Sequence, residues 1–253
     1  MIRNLIALPA LALLLLAAAA NAAPSRATRV TADGGGLRAE MQDGRVLTGA
    51  QLAGTVLRFQ GLEVRVEDAR QDEGIPGAQP GQPAGDIWLY RLSLRGADGE
   101  WAEPCDGGAL GMVFPGPEGA LRLTCSSSAI GTCIRYGYRP WARTAEGVAL
   151  APYHRACVNL LRSAEGGQAA GIYDRIGIQR APAAPGSEFA AGWTSEGAAC
   201  LAQPEAAMPG KDDQADIALA IMAIAGRMGR DQCTEERAAA LGALVFNRSL
   251  PRG

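Results

Sequence analysis

The chain has 253 residues, of which 48% are hydrophobic and 20% charged, with a formal net charge of −2 and a single histidine. That hydrophobic fraction is ordinary for a globular protein, and a near-neutral charge without a long basic run argues against a nucleic-acid partner. One histidine, with no HxH or HExxH pattern, argues against a histidine-ligated metal site, and we expect no cofactor and no metal.

The N-terminal segment predicts export. Arg3 is followed by an apolar run over 5–20, and the sequence ANA at 20–22 supplies small residues before a cleavage point. A positive start, an apolar middle and an AxA ending are typical of a secretory signal peptide over 1–22. The run is short for a transmembrane helix. We therefore expect a periplasmic or secreted protein with no transmembrane segment after signal cleavage.

Short strands are predicted in the N-terminal and central parts of the chain. Over 62–67 apolar residues alternate with charged ones, which is the period of a β-strand. The Gly- and Pro-rich stretch 73–86 predicts a loop or linker. Apolar segments on either side of the Pro-Gly-Pro at 115–117 predict a hairpin. Between the linker and the hairpin, four apolar residues fall on one face of a strand: Trp88, Tyr90, Leu92 and Leu94.

Helical patterns follow the hairpin. The serines at 126–128 can cap a helix whose apolar side includes Cys133. The alternation over 134–138 also fits a strand, so both alternatives stay open. Pro152 suits the first turn of a second helix.

The C-terminal third combines a short strand with helices. Ile176 and Ile178 indicate the strand. Apolar residues recur at helical spacing over 217–228, behind acidic residues that suit a helix N-terminus. A last helix is predicted to begin after Thr234 and to run through Val245.

The cysteines are interpreted through the predicted export. In an oxidising compartment an even number of cysteines favours disulfides, and six allow 15 complete pairings. No CxxC occurs, so a cysteine-ligated zinc site and a thioredoxin-like redox motif are both poorly supported. We predict three disulfides, whose pairing the sequence leaves open. The cysteines concerned are Cys105, Cys125, Cys133, Cys157, Cys200 and Cys233.

Several short segments together carry a family resemblance. They are LYRL at 89–92, WAEPC at 101–105, LTC at 123–125, GTCIRYGYRPW at 131–141, YHRAC at 153–157, FAAGWTSEGAACL at 189–201 and VFNRS at 245–249, with GAQLAGT at 49–55 ahead of them. Their order and spacing resemble the ADYC domain family of bacterial exported proteins. The resemblance implies export, disulfides and a compact domain, and it implies no reaction.

One departure from the family pattern stands out. The family takes its name from an Ala-Asp-Tyr-Cys motif shortly after the His-x-Ala-Cys helix. Here that place has RSAEGG at 162–167, with neither Cys nor Tyr. The simplest account is the loss of both ends of one disulfide, which leaves an even number of cysteines. If the motif carries an activity, this chain lacks it.

The expected fold class is α+β, with short β-strands in the N-terminal and central parts, helices after residue 126 and at the C-terminus, and disulfide cross-links. Four segments are predicted: a signal peptide over 1–22, a β-rich segment and Gly/Pro linker over 23–86, an ADYC-like core domain over 87–205, and a C-terminal helical segment over 206–253.

Few residues are candidates for chemistry. His154 and Cys157 are three residues apart on one predicted helix, which puts them on the same side and within reach of each other, as a thiol nucleophile and its base would need to be. In an exported chain with an even cysteine count, Cys157 is more readily explained by a disulfide.

Aromatic and guanidinium groups cluster near Trp141 and form a second candidate site. Together such groups bind sugars or anions through stacking and cation–π contacts, whereas the simpler interpretation is internal stacking. The possible binding residues are Arg135, Tyr138, Trp141 and His154.

Two functional hypotheses follow. The first is a non-catalytic exported protein, a binding or structural module of the cell envelope with an envelope or carbohydrate ligand. The second is an exported hydrolase that uses His154 with a carboxylate such as Asp106 or Asp174. The hydrolase requires His154 to lie in a concave pocket within hydrogen-bond distance of a carboxylate, a serine or a free thiol.

Overall fold

The structure is a computed structural model that describes residues 26–59, 61–75, 86–163, 169–180, 185–202 and 233–250. The predicted signal peptide and the helix predicted over 217–228 lie outside the described residues. So do most of the predicted linker and the part of RSAEGG from 164 onward.

The described residues form antiparallel strands and three α-helices. The strands are β1 (Ala27–Asp33), β2 (Gly36–Met41), β3 (Val46–Thr48), β4 (Val56–Phe59), β5 (Leu62–Gln71), β6 (Trp88–Arg95), β7 (Trp101–Ala102), β8 (Gly111–Pro115), β9 (Leu121–Cys125), β10 (Ala169–Asp174), β11 (Glu188–Thr194), β12 (Gly197–Leu201) and β13 (Val245–Ser249). The helices are α1 (Ala129–Arg135), α2 (Ala151–Arg162) and α3 (Glu235–Ala240).

The strands assemble into three sheets. The first has the order β1-β2-β3, the second β4-β5-β6-β8-β9 with β7 paired to β6, and the third β10-β13-β11-β12. In the second sheet β5 pairs with β6. Strands on either side of the predicted boundary at residue 87 therefore share one sheet.

The six-stranded sheet buries apolar residues on both faces. Tyr90 and Leu92 of β6 lie in a core shared with the three-stranded sheet, where the Leu37 backbone N–H donates to the Tyr90 hydroxyl at 2.8 Å. Leu89, which alternates with them, lies in a second core with Ile134 of α1. The sheet is thus covered by the first sheet on one face and by α1 on the other.

A third core lies between the two helices α1 and α2 and the four-stranded sheet. Cys133 of α1 and Leu160 of α2 pack with Trp193 of β11 and Val245 of β13. The Trp193 indole N–H donates to the side-chain oxygen of Asn247 at 2.9 Å, which satisfies a polar group inside this core. The pair α1–α2 therefore rests on the four-stranded sheet.

All six cysteines form disulfides, so the predicted three cross-links are confirmed. The pairing follows the chain order: Cys105–Cys125, Cys133–Cys157 and Cys200–Cys233. The first joins the segment after β7 to the end of β9, and the second joins α1 to α2. The third joins β12 to the residues just before α3.

The end of β9 positions α1. The Ser128 hydroxyl donates to the Cys125 carbonyl at 2.8 Å and accepts from the Gly131 N–H at 3.1 Å, which caps the helix. Gly131 passes so close to the Cys125 carbonyl that a Cβ atom would collide with it. Because a helix of seven residues is not stable alone, these contacts are needed to hold it in place.

The fold is mostly β-sheet and only broadly fits the α+β expectation. Strands are not confined to the N-terminal and central parts, since the whole four-stranded sheet follows α2. The C-terminal segment is not uniformly helical, and Val245, predicted to lie in the last helix, begins β13. Val245 and Phe246 are fully buried in a strand that lies between β10 and β11. The free energy gained by burying Val245 in the sheet outweighs the helical spacing of the apolar residues before it.

The prediction of a strand at Ile176 and Ile178 is wrong. The strand is β10, and it ends at Asp174. The Asp174 carboxylate accepts from the backbone N–H groups of Ile176 and Ile178 at 2.8 and 3.1 Å, which turns the chain there.

Among the helices of the described ranges, none is long and apolar enough to cross a membrane.

The cap of α1 gives a test of this arrangement. Ser128→Ala removes the acceptor of the Gly131 N–H, and we expect it to lower the free energy of unfolding by about 1 kcal/mol in urea denaturation. Ser127→Ala is the control, because Ser127 is the exposed neighbour, and it should leave stability unchanged. Equal stability of the two variants would contradict the capping role.

Candidate functional site

A cleft of about 540 Å³ lies between the β8–β9 hairpin and the first turn of α2. Its polar side chains are Arg122 of β9 with His154 and Arg155 of α2. No acidic residue is among the described residues that line it. Its apolar lining consists of aromatic, proline and aliphatic side chains: Phe114, Pro115, Pro117, Ile130, Pro140 and Trp141. The cleft is thus apolar with an excess of positive charge.

His154 lies in the wall of this cleft and is only 8% exposed. Its Nε2 lies 3.3 Å from the carbonyl oxygen of Ile130 in α1. A carbonyl can only accept, so the proton of the neutral imidazole is on Nε2. Among the described residues, the Ile130 carbonyl is the one hydrogen-bond partner of the imidazole. This bond ties α2 to α1.

The environment of His154 lowers its pKa below the ordinary value. Burial is the main cause, and the charges of Arg155 and Arg162 act in the same direction, while the Ile130 hydrogen bond opposes them. His154 is therefore neutral at pH 7, and protonating it adds a third positive charge to the cleft.

The two arginines of the cleft are exposed. Arg122 faces Phe114 across the hairpin, and its side chain lies over the turn, where a Cβ atom on Gly116 would stand 3.0 Å from the Arg122 Cγ. Neither Arg122 nor Arg155 forms a salt bridge within the described ranges. Arg155 acts at longer range on Glu196, whose pKa is lowered first by a hydrogen bond with Ser195 and in smaller part by this charge.

Trp141 forms the aromatic surface of the cleft. Its ring stacks on Phe114 with centroids 5.7 Å apart and planes at 27°. Trp141 is half-buried, so part of the indole remains accessible. The predicted binding residues Trp141 and His154 are therefore brought together in one cleft.

Arg135 has a different environment from the cleft arginines. It binds both oxygens of the Asp72 carboxylate, at 2.9 and 3.0 Å, and also donates to the Gly74 carbonyl. The Asp72 side chain is only 1% exposed. Four residues later, beyond the end of α1, Arg139 pairs with Asp86 at 2.7 Å. The two arginines hold the two ends of the segment between β5 and β6 against the region of α1.

Tyr138 lies in the interior. Its hydroxyl donates to Asp174 at 2.8 Å, and its ring stacks on Tyr153 with centroids 6.5 Å apart. Burial, followed by the charge of Asp174, raises the pKa of Tyr138 well above its usual value. Internal stacking therefore describes Tyr138, and it does not line the cleft.

The partners expected for a catalytic His154 lie elsewhere. Cys157 is bonded to Cys133 and offers no thiol. Asp174 accepts from Tyr138 and from the backbone of the turn that follows β10. Asp106 lies in a short turn after Cys105 and is not part of the cleft lining. Among the described residues no group of three His, Cys, Asp or Glu could hold a metal ion.

Sequence reasoning missed Arg122, Arg155 and Phe114. Arg155 stands directly beside His154 in the YHRAC segment, but nothing local distinguishes it from a solvated helix residue. The cleft is assembled from a hairpin, the segment after α1 and the start of α2. No spacing within one segment could have marked it.

Comparison with known proteins gives one finding. The sequence model of the ADYC domain matches residues 44–207, more than half of the chain. The match begins well before Trp88, where most of the resembling segments begin, and it includes strands of both N-terminal sheets. No curated protein and no solved structure matches the chain.

The buried ion pair predicts a structural role for Arg135. Arg135→Gln leaves the buried Asp72 carboxylate without its cation, and we expect it to lower the free energy of unfolding by about 3 kcal/mol. Arg45→Gln is the control, since Arg45 pairs with Asp43 on the exposed surface, and it should leave stability almost unchanged. A similar small effect of both changes in urea denaturation would refute the role.

The lowered pKa of His154 predicts a pH dependence of folding. As pH falls below 7, the unfolded chain takes up a proton at histidine's ordinary pKa more readily than the folded chain, whose His154 pKa is lowered, so stability decreases. His154→Gln keeps an N–H donor for Ile130 without a titrating group and should reduce this loss. Identical pH slopes for the two proteins in denaturant titrations would count against the argument.

Proposed function

Because this chain belongs to the ADYC domain family, we propose that it is an exported, non-catalytic binding module of the bacterial cell envelope. The predicted signal peptide over 1–22 supports export. The three disulfides support it as well, since such bonds form and persist in oxidising compartments.

The cleft beside His154 carries the proposal of binding. It has the volume of a small-molecule site, a largely apolar lining and a few polar groups that converge on it. The imidazole of His154 is bonded to the Ile130 carbonyl, and among the described residues no carboxylate, serine or free thiol is hydrogen-bonded to the ring to serve as its catalytic partner. This arrangement suits retention of a ligand better than its cleavage.

The alternative of an exported hydrolase is favoured by one observation, the position of His154 in a concave site. The second requirement was a carboxylate, serine or free thiol within hydrogen-bond distance. In the described part of the chain the imidazole is bonded instead to Ile130, and Cys157 is in a disulfide. We therefore keep binding as the proposed function.

The test uses the full chain recovered from the periplasm, where export predicts an N-terminus at residue 23. A panel of neutral sugars, acidic sugars, short peptides and glycerol phosphate is titrated while the His154 ring proton is followed by NMR. That resonance is unambiguous because the chain has one histidine. We expect saturable shifts with at least one member, and mass spectrometry should recover that member unchanged.

Two variants locate the binding. Ala151→Leu adds volume to a residue that lines the cleft and should abolish the shifts, whereas Ala145→Leu changes an exposed residue outside the cleft lining and should not. The proposal fails if no panel member shifts His154. It also fails if a panel member is hydrolysed by the native chain but not by His154→Gln with an unchanged melting temperature.

A further inference from the structure

The charge of the cleft restricts the kind of ligand it can hold. Arg122 of the hairpin and Arg155 of α2 both line it, and no acidic side chain is among the described residues of the lining. The first turn of α2 also contains no acidic residue, so the positive end of its dipole is not neutralised there. A cation or a ligand without charge would leave this field uncompensated.

The guanidinium groups are available for a ligand. Both are exposed, and in the described ranges neither is engaged in a salt bridge. Arg135 and Arg139, by contrast, are paired with Asp72 and Asp86. Guanidinium binds carboxylate and phosphate through paired, charge-assisted hydrogen bonds, which are about twice as strong as neutral ones. The cleft thus offers two anion-binding groups that form no salt bridge with the described residues.

The apolar lining restricts the rest of the ligand. The stacked pair Trp141 and Phe114 presents an aromatic surface, and proline rings widen it. A sugar ring has apolar C–H faces between its polar hydroxyl groups, which suits a pocket of this mixed lining. The volume of about 540 Å³ is that of a small-molecule site and not of an extended protein interface.

From these observations we propose that the cleft binds an acidic sugar, with its carboxylate or phosphate held between Arg122 and Arg155 and its ring against Trp141. This inference rests on the proposed binding function and names the class of its ligand. Sugar carboxylates and sugar phosphates share the anionic ring chemistry, so the experiment compares the two directly.

The test titrates the full chain with glucuronate and glucose 6-phosphate, with glucose as the neutral match and with acetate and inorganic phosphate as anions without a ring. Calorimetry gives the Kd, and the His154 ring proton shows whether binding occurs in the cleft. We expect at least one acidic sugar to bind at least about tenfold more tightly than glucose and than the free anions. High salt should weaken this binding, because the arginines are exposed.

Matched variants assign the contacts. Arg122→Gln and Arg155→Gln should each raise the Kd of the acidic sugar about tenfold or more. Arg70→Gln removes an equal charge from an exposed residue outside the cleft lining and should change the Kd by less than about twofold. Trp141→Leu should weaken the binding of the acidic sugar but not the binding of acetate. Melting temperatures establish that each variant is folded.

The outcomes separate the two proposals. If glucose or a peptide shifts His154 as strongly as the acidic sugars, the binding function stands and the ligand class is wrong. The class is also wrong if acetate or phosphate alone binds as tightly, or if Arg70→Gln weakens binding as much as the cleft variants. If no compound of this set or of the wider panel shifts His154, both proposals are wrong.

Discussion

The disulfide between Cys133 and Cys157 fixes α1 against α2, and most of the architecture depends on that connection. Cys133 lies in the core of the four-stranded sheet, while the next residue, Ile134, lies in the core on the six-stranded sheet. A helix of seven residues does not persist on its own. The disulfide spans 24 residues of sequence, and a loop of that size contributes about 3 kcal/mol. The cross-link thus keeps a marginal helix at the junction of two cores.

The same helix pair shapes the cleft. α1 supplies the Ile130 carbonyl that holds the His154 imidazole, and α2 places Arg155 beside it. The opposite wall comes from the β8–β9 hairpin, whose end also carries the cap of α1 through the Cys125 carbonyl. The helix pair and the hairpin that stabilise the fold therefore also form the walls of the candidate site. Because those supports are covalent or buried, the backbone that carries Arg122 and Arg155 is set before a ligand arrives, which lowers the cost of binding.

Local patterns were good guides wherever the partner of a residue lies within its own element. The alternation from Trp88 to Leu94 places Tyr90 and Leu92 on one buried face, and Ser128 caps the helix that begins beside it. The patterns failed where burial comes from distant strands. Val245 has helical neighbours in sequence, yet it lies in a strand between β10 and β11. The arginines show the same limit. Arg135 differs from the cleft arginines because it pairs with Asp72, and Asp72 is 63 residues away in the sequence.

The sequence by itself determined the family, the number of disulfides and the alternation of the buried strand β6, because these depend on short segments and on counting. Only the tertiary structure decided which cysteines pair and which of the cationic and aromatic groups face a common space. It placed His154 and Trp141 in one cleft with Arg122, and it placed Tyr138 in the interior. The physical reason is that pairing and pocket formation depend on the distance between side chains, and that distance is set by packing between segments far apart in the chain.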